Sequence, residues 1–307
     1  MIDLTHVHWK PNRFGGSESK WTIEFDGKLY MVKFPDPNRS EKRTQLSYIN
    51  NHFSEHIGCE IFHILGIPAQ NTFLGRGTPP NSTREKIAVV CEIFCQNDTG
   101  CLIEFSKFLL HETDSQKRNK TTIEDVMSVI ETDVTIKNKE QVKNFFWDMF
   151  VVDTLIGNTD RHLDNWGMIE AKDGTLSPAP IYDCGSAFSP LKSDEEKLQL
   201  LSNLNLLKSN EYNLCSVYRY HGQRIQYHEI FRNMPEGLSA AVTRIVPRIQ
   251  ATSHQMFNFI DQVEGLSDIA RKYIKESLMM RRDQILVPAL NKCHALEKPT
   301  IHSCRER

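Results

Sequence analysis

The sequence lacks any hydrophobic run long enough to cross a membrane, and its amino terminus is polar and unlike a signal peptide. It also lacks an excess of charge of either sign, since 37 Lys and Arg residues stand against 39 Asp and Glu residues, for a formal net charge of -2. Because this balance offers no broadly basic surface, binding to nucleic acid or to a membrane is not expected. These absences predict a cytoplasmic protein and leave open secretion by a route that needs no signal peptide.

Cysteines are present, but they lack the spacing of a metal site or of a disulfide framework. The eight cysteines are spread irregularly, and the closest group, Cys91, Cys95 and Cys101, matches no paired zinc knuckle. Reduced and mostly buried thiols are therefore predicted. An internal repeat of fixed period is also missing from the sequence.

The length of 307 residues fits either one large domain or two tightly joined lobes. Hydrophobic residues make up 39% of the chain and charged residues 25%, so the chain can bury a sizeable core. The pattern along the chain then separates a strand-rich beginning from a helix-rich remainder.

A β-hairpin is predicted near the amino terminus, where two strand-like runs, 21–25 and 28–34, flank the turn Asp26-Gly27. Alternation along the second strand places Lys33 on one face with two apolar side chains. That position suits a cation that reaches the phosphates of a nucleotide, and it equally suits a strand-end lysine that extends to water. The preceding stretch 13–20 (RFGGSESK) has two glycines that would let amides approach a phosphate, although a plain surface turn explains them as well.

An amphipathic helix is predicted over residues 46–65, because apolar residues recur there every three or four positions. Gly66 and a proline two residues later end it. A kinase-like lobe needs a helical acid to hold the strand lysine, and Glu55 and Glu60 are the candidates. Glu60 falls within the apolar stripe and Glu55 nearly opposite, so periodicity alone does not choose between them.

A loop over residues 76–85 and a β-rich run over 86–94 follow the helix. The run ends at Glu92-Ile93-Phe94, before a polar turn at 96–100. A buried strand that stops at such a turn suits a hinge between lobes whose backbone meets an adenine edge, and an ordinary edge strand accounts for it equally well.

Helices dominate the rest of the chain. A polar connection at 111–121 precedes a short helix at 123–130 and a strongly apolar helix at 142–156. Asp148 and Asp153 on the second helix are interpreted as solvent-facing or hydrogen-bonded carboxylates. Beyond Pro190 the sequence predicts helical structure, with repeated apolar spacing over 198–207, 240–249, 256–263 and 274–286.

The apolar helix leads directly into the 157–167 loop, GNTDRHLDNWG, which carries the groups that phosphoryl transfer requires. Asp160 can accept a proton from an attacking hydroxyl, and the side-chain oxygen of Asn165 can bind magnesium. Two short strands, 166–170 and 176–182, are predicted to form a hairpin that brings Asp183 back against Asn165 as a second hard ligand.

Taken together, these pieces resemble the HipA-like serine/threonine kinases, and the order Asp-Arg-His in the loop is also similar to that of the phosphatidylinositol kinases. The resemblance covers nearly the whole chain. It is carried by the segments FGGSESK, MVKFP, SEHIGCEIFHILGIP, CEIF, LIGNTDRHLDNWG and PIYDCGSAF.

The resemblance implies an α+β, two-lobed protein-kinase-like fold. A small β-rich amino-terminal lobe is expected over residues 1–95, and a larger, mainly helical carboxy-terminal lobe over residues 96–307. ATP and Mg²⁺ are the implied cofactors, and a protein with a serine or threonine acceptor is the implied substrate. Autophosphorylation is expected as well.

The same resemblance assigns roles to residues of the 157–167 loop and to Asp183. Asp160 is similar to the catalytic base of the family, while Asn165 and Asp183 are similar to its magnesium ligands. His162 is expected either to contact the γ-phosphate, as its counterpart in the phosphatidylinositol kinases is thought to, or to steady the loop.

Nucleotide-binding residues are implied in the amino-terminal part. Lys33 resembles the lysine that binds the phosphates, and Glu55 takes the place of its helical partner because the family has an acid eleven residues before the glycine found here as Gly66. Glu92 and Phe94 resemble hinge residues whose backbone groups meet adenine. The remaining candidates are Gly15, Gly16, Ser17 and Lys20 of the glycine-containing stretch.

Two departures from the family pattern affect expectations about regulation and partners. The glycine-containing stretch begins almost at Met1, whereas larger HipA toxins carry an additional amino-terminal region that helps them bind an antitoxin, so this chain resembles the kinase core alone. The regulatory serine that precedes the glycine in those toxins is replaced here by Arg13. Autoregulation through that serine is therefore not expected, and Ser17 or Ser19 is the alternative site to test.

Two alternatives stay open at the level of the sequence. The acceptor could be a lipid or a small molecule, because the Asp-Arg-His order says nothing about it. A toxin-type binding protein with a structural nucleotide, acting through an antitoxin or a host protein, is the second alternative, and the full set of lysine, base and metal ligands argues against it.

Overall fold

The amino-terminal part of the chain forms a six-stranded sheet in the computed structural model, which describes residues 1–11, 20–35, 50–80, 82–95, 100–109 and 120–297. Its strands are β1 (Ile2–Asp3), β2 (Lys10–Pro11), β3 (Lys20–Phe25), β4 (Lys28–Lys33), β5 (Thr72–Gly77) and β6 (Lys86–Glu92). They lie in the order β1-β5-β6-β4-β3-β2, and β1 runs parallel to β5 while the other neighbours are antiparallel.

The predicted hairpin is confirmed as β3 and β4, which pair with Trp21 opposite Val32 and with Lys33 opposite the first residue of β3. Asp26 and Gly27 have φ angles of 50° and 74°, so both turn residues are left-handed. Two such residues match the right-handed twist of the strands, and this is why Asp-Gly is favoured there.

The alternation of side chains sorts the sheet into two faces. One face builds a small core of its own, and its buried members are Leu4, Ile23, Tyr30, Val32, Phe34, Ala88 and Val90. The other face, which includes Val89 and Cys91, joins the main core of the molecule. Lys33 therefore points toward the main body of the protein, as its position on the strand predicts.

The loop predicted over residues 76–85 is wrong at its beginning, because Arg76 and Gly77 belong to β5. The short strands β1 and β2 were also not predicted. The glycines of β5 are required by the close approach of Leu4, since a Cβ added at Gly75 or Gly77 would lie 2.7 Å or 2.6 Å from a carbon of that side chain. Gly77 was interpreted as part of a loop, but in the structure it marks a close contact within a strand.

Helix α1 (Asn51–Ile64) lies between the sheet and the helical part, and it contacts β5, β6 and α7 (Leu238–Gln262). It ends as predicted, because Gly66 follows with a φ of 75°. The predicted start near residue 46 lies outside the described residues. Because the helix is covered on both sides, its burial does not follow a single apolar stripe, and Glu55 is only 1% exposed.

The helical part contains the predicted helices at 123–130 and 142–156 and the hairpin that follows them. Its helices before the carboxy-terminal half are α2 (Ile123–Thr132) and α3 (Lys139–Ile156). A three-stranded sheet is formed by β7 (Cys101–Glu104), β8 (Gly167–Glu170) and β9 (Leu176–Pro178). The later elements are α4 (Asp194–Ser202), α5 (Leu204–Tyr212), β10 (Cys215–Tyr220), β11 (Gln223–Gln226), α6 (Tyr227–Asn233), α7, α8 (Asp268–Arg281), a π-helical turn (Arg282–Leu286) and α9 (Val287–Glu297).

Two expectations for the carboxy-terminal half are corrected. The region beyond Pro190 was predicted to be helical in character and no strand was predicted there, yet residues 215–226 form the antiparallel hairpin β10–β11 around a turn with two left-handed residues, His221 and Gly222. The separate segments predicted at 240–249 and 256–263 are parts of one 25-residue helix, α7, which continues through Pro247. Packing against α3 and α9 outweighs the local preference of proline to break a helix.

Several further predictions can be compared with the described residues. The seven cysteines among the described residues are free thiols, and four of them are buried, in agreement with the predicted reduced and mostly buried thiols. No helix of the described chain combines the length and apolar character needed to span a membrane. Most of the polar turn at 96–100 and of the connection at 111–121 lies outside the described residues, and the boundary at residues 95 and 96 stays a prediction.

Candidate active site

The 157–167 loop starts where α3 ends. Gly157 adopts the left-handed conformation, with a φ of 67°, and this turns the chain out of the helix. The loop then folds on itself, because the Asn165 side-chain amide donates to the carbonyl oxygen of Asp160 at 2.8 Å and the His162 N–H donates to the same oxygen at 2.8 Å. This bond uses the amide nitrogen of Asn165, so its Oδ1 is the atom that can bind a cation.

Arg161 fastens the loop to the helix before it and to the segment after it. Its guanidinium is buried and forms a two-pronged ion pair with Asp153 of α3, at 2.9 and 3.1 Å. Nη1 donates to the carbonyl oxygens of Asn165, at 2.7 Å, and of Tyr182, while Nη2 donates to the Cys184 sulfur at 3.3 Å. One side chain therefore fixes the loop relative to the residues on either side of Asp183.

Asp183 is placed opposite the loop by the predicted hairpin, which is confirmed as β8 and β9. Its backbone is left-handed, with a φ of 58°, and its N–H donates to Oε1 of Glu55 at 3.1 Å. The ammonium of Lys33 lies 3.1 Å from the same Glu55 oxygen and 3.7 Å from Oδ1 of Asp183. The strand lysine, the helical acid and Asp183 thus meet at one point.

The choice of Glu55 over Glu60 agrees with this geometry. The Lys33 and Glu55 side chains are 7% and 2% exposed, whereas Glu60 lies near the surface and is 3.5 Å from Nδ1 of His63. A buried ion pair between a strand and α1 holds both elements in register, because removing either partner would leave an uncompensated charge.

The environments of the two aspartates differ. Desolvation raises the pKa of Asp160, His162 opposes this effect, and the nearby Asp183 carboxylate adds to it. Burial would also raise the pKa of Asp183, but Lys33, Lys20 and the loop cations outweigh it and hold that pKa below the usual aspartate value. Asp160 is therefore the better proton acceptor, while Asp183 stays ionised.

The two oxygen donors fit a hard divalent cation. Mg²⁺ is usually bound through one or two protein ligands together with substrate phosphates and water. Asn165 and Asp183 offer two oxygen atoms of this kind, and no group of three or more His, Cys, Asp or Glu residues that could hold a metal occurs within the described ranges. The Cys91, Cys95 and Cys101 group contributes no metal site in the part of the chain that the structure describes.

The two hinge candidates lie at the end of β6, and their surroundings differ. The Glu92 N–H donates to the carbonyl oxygen of Asn71 at 2.9 Å, and its own carbonyl oxygen accepts from the Gln70 side chain at 2.8 Å. The Phe94 ring lies 5.7 Å from the ring of Tyr182, next to Asp183. The adenine contacts of both residues stay a prediction, and the backbone N–H and carbonyl groups of Glu92 already have partners within the protein.

Of the residues predicted in the glycine-containing stretch, Gly15, Gly16 and Ser17 lie outside the described residues, as do Arg13 and Ser19. Lys20 is described, and it begins β3 directly opposite Lys33. That position explains why its charge acts on Asp183.

His162 makes contacts within the loop. Its Nδ1 accepts from the N–H of Asp164 at 3.3 Å and lies 3.7 Å from an oxygen of that carboxylate. These contacts suit the steadying role, and the contact with a γ-phosphate stays a prediction.

Two residues of the site were missed by sequence reasoning. The burial of Arg161 was not foreseen, although an aspartate eight residues earlier on an apolar helix, Asp153, is the signal that could have indicated its partner. The side chain of Ser186 acts on the Asp160 carboxylate and lowers its pKa, and nothing in the pattern of the sequence singled it out.

A sheet that supplies Lys33, a helix that supplies its acidic partner and a loop that places Asp160 opposite Asp183 are typical of the class of protein-kinase-like phosphotransferases. The chain belongs to the HipA-like family, because residues 13–256 match the HipA-like C-terminal domain. The resemblance stated from the sequence is thereby confirmed.

Similar proteins support the same placement. Over 293 residues the chain is 33% identical to the serine/threonine-protein kinase CtkA of Helicobacter pylori strain J99, covering 93% of this chain and 86% of that protein. The crystal structure of the H. pylori proinflammatory kinase CtkA matches with a TM-score of 0.84 at 32% identity, over 97% of this chain and 99% of that chain. HipA of Shewanella oneidensis MR-1, solved with HipB and operator DNA, matches with a TM-score of 0.59 at 15% identity, over 92% and 67% of the two chains, and shows the fold alone. The predicted α+β kinase-like fold is confirmed.

Proposed function

We propose that this chain is a HipA-like serine/threonine protein kinase that transfers the γ-phosphoryl group of ATP, with Mg²⁺, to a protein hydroxyl. The observation that carries the proposal is the meeting of Lys33, Glu55 and Asp183 at the 157–167 loop, with distances of 3.1 and 3.7 Å from the lysine to the two acids. The kinase relative with 33% identity over 93% of the chain supports the protein acceptor over a lipid or a small molecule.

The role of each side chain follows from its charge and place. Lys33 binds phosphate oxygens, and Glu55 keeps its ammonium oriented across the cleft. Asn165 and Asp183 would hold Mg²⁺, which when bound supplies charge neutralisation on the phosphates. Asp160 accepts the proton of the attacking hydroxyl, and because desolvation raises its pKa its carboxylate is a stronger base than an exposed aspartate.

A partner protein stays a prediction for this chain. The Shewanella structure contains HipA with HipB and operator DNA. By analogy we propose that an antitoxin or a host protein is the partner to look for here, with autophosphorylation as a second activity of the same site.

The proposed function is tested by incubating the purified protein with Mg²⁺ and γ-labelled ATP, beside the variants Asp160→Ala and Asp183→Ala, followed by mass spectrometry. Label on serine or threonine of the wild type and of an added protein acceptor is expected, with a loss of at least about 100-fold in both variants. Asp173→Ala is the matched control, because Asp173 is an exposed turn carboxylate bonded to the N–H of Thr175. Turnover retained by Asp160→Ala, with the control unchanged, would contradict the assignment.

A further inference from the structure

A second buried polar cluster lies at the carboxy-terminal end of α3. Its members are Glu211 of α5 and Tyr273 and Arg281 of α8, which are 1%, 0% and 2% exposed. Burying an arginine and a glutamate costs free energy of desolvation unless the two are paired and hydrogen-bonded. The contacts of the cluster show what its burial contributes to the structure.

Arg281 contacts the point where the 157–167 loop leaves α3. Its Nε donates to the carbonyl oxygen of Leu155 at 2.6 Å, and Nη1 pairs with Glu211. The last carbonyls of a helix lack partners within the helix and attract cations. A Cβ built on Gly157 would lie only 2.6 Å from Nη1, so the guanidinium packs directly against the first residue of the loop.

Tyr273 extends the same cluster to the segment that follows Asp183. Its hydroxyl hydrogen-bonds to Oε1 of Glu211 at 2.7 Å and to Oγ of Ser189 at 3.2 Å. One residue earlier, the N–H of Phe188 donates to the carbonyl oxygen of Ile156 at 3.1 Å. The two carbonyls that end α3 are therefore bonded by Arg281 of α8 and by the 183–189 segment, which is itself bonded to Tyr273.

We infer that Arg281, Tyr273 and Glu211 are positioning residues, which set the 157–167 loop and the 183–189 segment at the separation that the reaction needs. The inference rests on the proposed function, because the two segments carry Asp160 and Asp183. The cluster acts through the backbone at Leu155 and Gly157, which lead into the loop. Its partners on α5 and α8 make the carboxy-terminal helices part of the machinery that aligns the site.

Two conservative variants separate positioning from general stability. Tyr273→Phe keeps the ring and removes the hydroxyl that joins Glu211 to Ser189. Arg281→Lys keeps the charge and loses the fork that reaches Leu155 and Glu211 together. Arg244→Lys is the matched control, because Arg244 of α7 forms the corresponding ion pair with Asp148, also on α3 but two turns earlier.

The first readout is steady-state kinetics at a temperature where all proteins are folded. Misplacement of reacting groups lowers kcat, by between about 3-fold and 100-fold for shifts of up to roughly an ångström. The KM for ATP is expected to change less than about 2-fold, because the lysine and hinge contacts are untouched. Arg244→Lys should leave kcat within about 2-fold of the wild type.

The second readout is hydrogen exchange of the unliganded protein, which does not depend on catalysis. The amides of His162 and Asn165 are bonded within the loop, and they are expected to exchange faster in Tyr273→Phe and Arg281→Lys while the amides of α2 are unchanged. Exchange and kcat that both match the control, despite a lower melting temperature, would overturn the inference and leave a purely structural cluster. If the wild type transfers no phosphoryl group, the proposed function fails, and the exchange of the loop still decides whether the cluster positions it.

Discussion

Arg161 shows what a single buried side chain does for this site. It bonds to Asp153 of α3, to two backbone carbonyls and to the sulfur of Cys184, and so joins three consecutive parts of the chain. Arg161 lies in the same loop as Asp160 and Asn165, and the family resemblance assigned roles to those two residues but none to the arginine. Local pattern could not show that this arginine points inward, because its partner lies eight residues away across the end of a helix.

The pair between Arg161 and Asp153 predicts a large loss of stability when one partner is made neutral. Asp153→Asn would leave a buried guanidinium without its counter-charge, and the free energy of unfolding should fall by about 3 to 5 kcal/mol. Asp148→Asn is the control on the same helix, since its partner Arg244 is 31% exposed, and a loss of about 1 kcal/mol is expected there. Urea unfolding followed by circular dichroism measures both, and equal losses would show that burial of the Arg161 pair matters little.

At the scale of elements, α1 explains why periodicity could not choose between Glu55 and Glu60. The helix packs against β5 and β6 on one side and against α7 on the other, so residues all around it are buried. A single apolar stripe describes a helix with one covered side, and that assumption failed here. The hairpin β3–β4 was predictable because its turn and its alternation are local, whereas β1 became a strand only by pairing with β5, about seventy residues away in the sequence.

Helix α1 also predicts how stability depends on pH. Burial lowers the pKa of His56 to about 4, and its Nδ1 lies 2.9 Å from Oγ1 of Thr72. Because the folded state disfavours the charged ring, this histidine contributes stability above the unfolded pKa of roughly 6.5, and the contribution is lost as the pH falls toward 4. The difference of roughly 2.5 between the two pKa values sets an upper limit of about 3 kcal/mol on the loss.

The measurement is the free energy of unfolding at several pH values between 7 and 4. Wild type should lose more stability over this range than His56→Gln, which cannot take up the proton. His63→Gln is a control of opposite sign, because the hydrogen bond to Glu60 raises the pKa of His63 and its contribution is lost as the pH rises. Parallel curves for the wild type and His56→Gln would contradict the prediction.

At the scale of the whole molecule, the sheet and the helices share one core. Phe53 of α1, Leu74 of β5 and Val89 of β6 belong to the same buried cluster as Phe146 of α3 and Ile249 of α7. The sequence predicted both parts and their order, because each is defined by a local pattern. It could not predict how they meet, since that depends on contacts between residues far apart in the chain, such as Ser54 with the carbonyl oxygen of Ala187.

A shared core and a site built from both parts predict that nucleotide stabilises the molecule as one unit. ATP with Mg²⁺ at about 100 times its dissociation constant should add about 2.7 kcal/mol to the free energy of unfolding, and thermal unfolding should stay a single transition. Asp183→Asn is expected to lose most of the Mg²⁺-dependent part, since it changes one of the two proposed metal ligands. Differential scanning calorimetry with and without Mg²⁺ measures this, and a shift in only one of two separate transitions would show that the two parts unfold independently.

The contact between α1 and the residue after Asp183 has a practical consequence for following motion in solution. A Cβ added at Gly58 would lie 2.5 Å from Cβ of Cys184, so helix and segment touch without a gap, and the thiol is fully covered. A thiol reagent therefore reaches Cys184 only while the packing around it, including its contacts with α1 and Arg161, is open. The rate at which Cys184 is alkylated, measured by mass spectrometry against the exposed Cys101, therefore reports how often this part of the core opens, and it needs no attached dye.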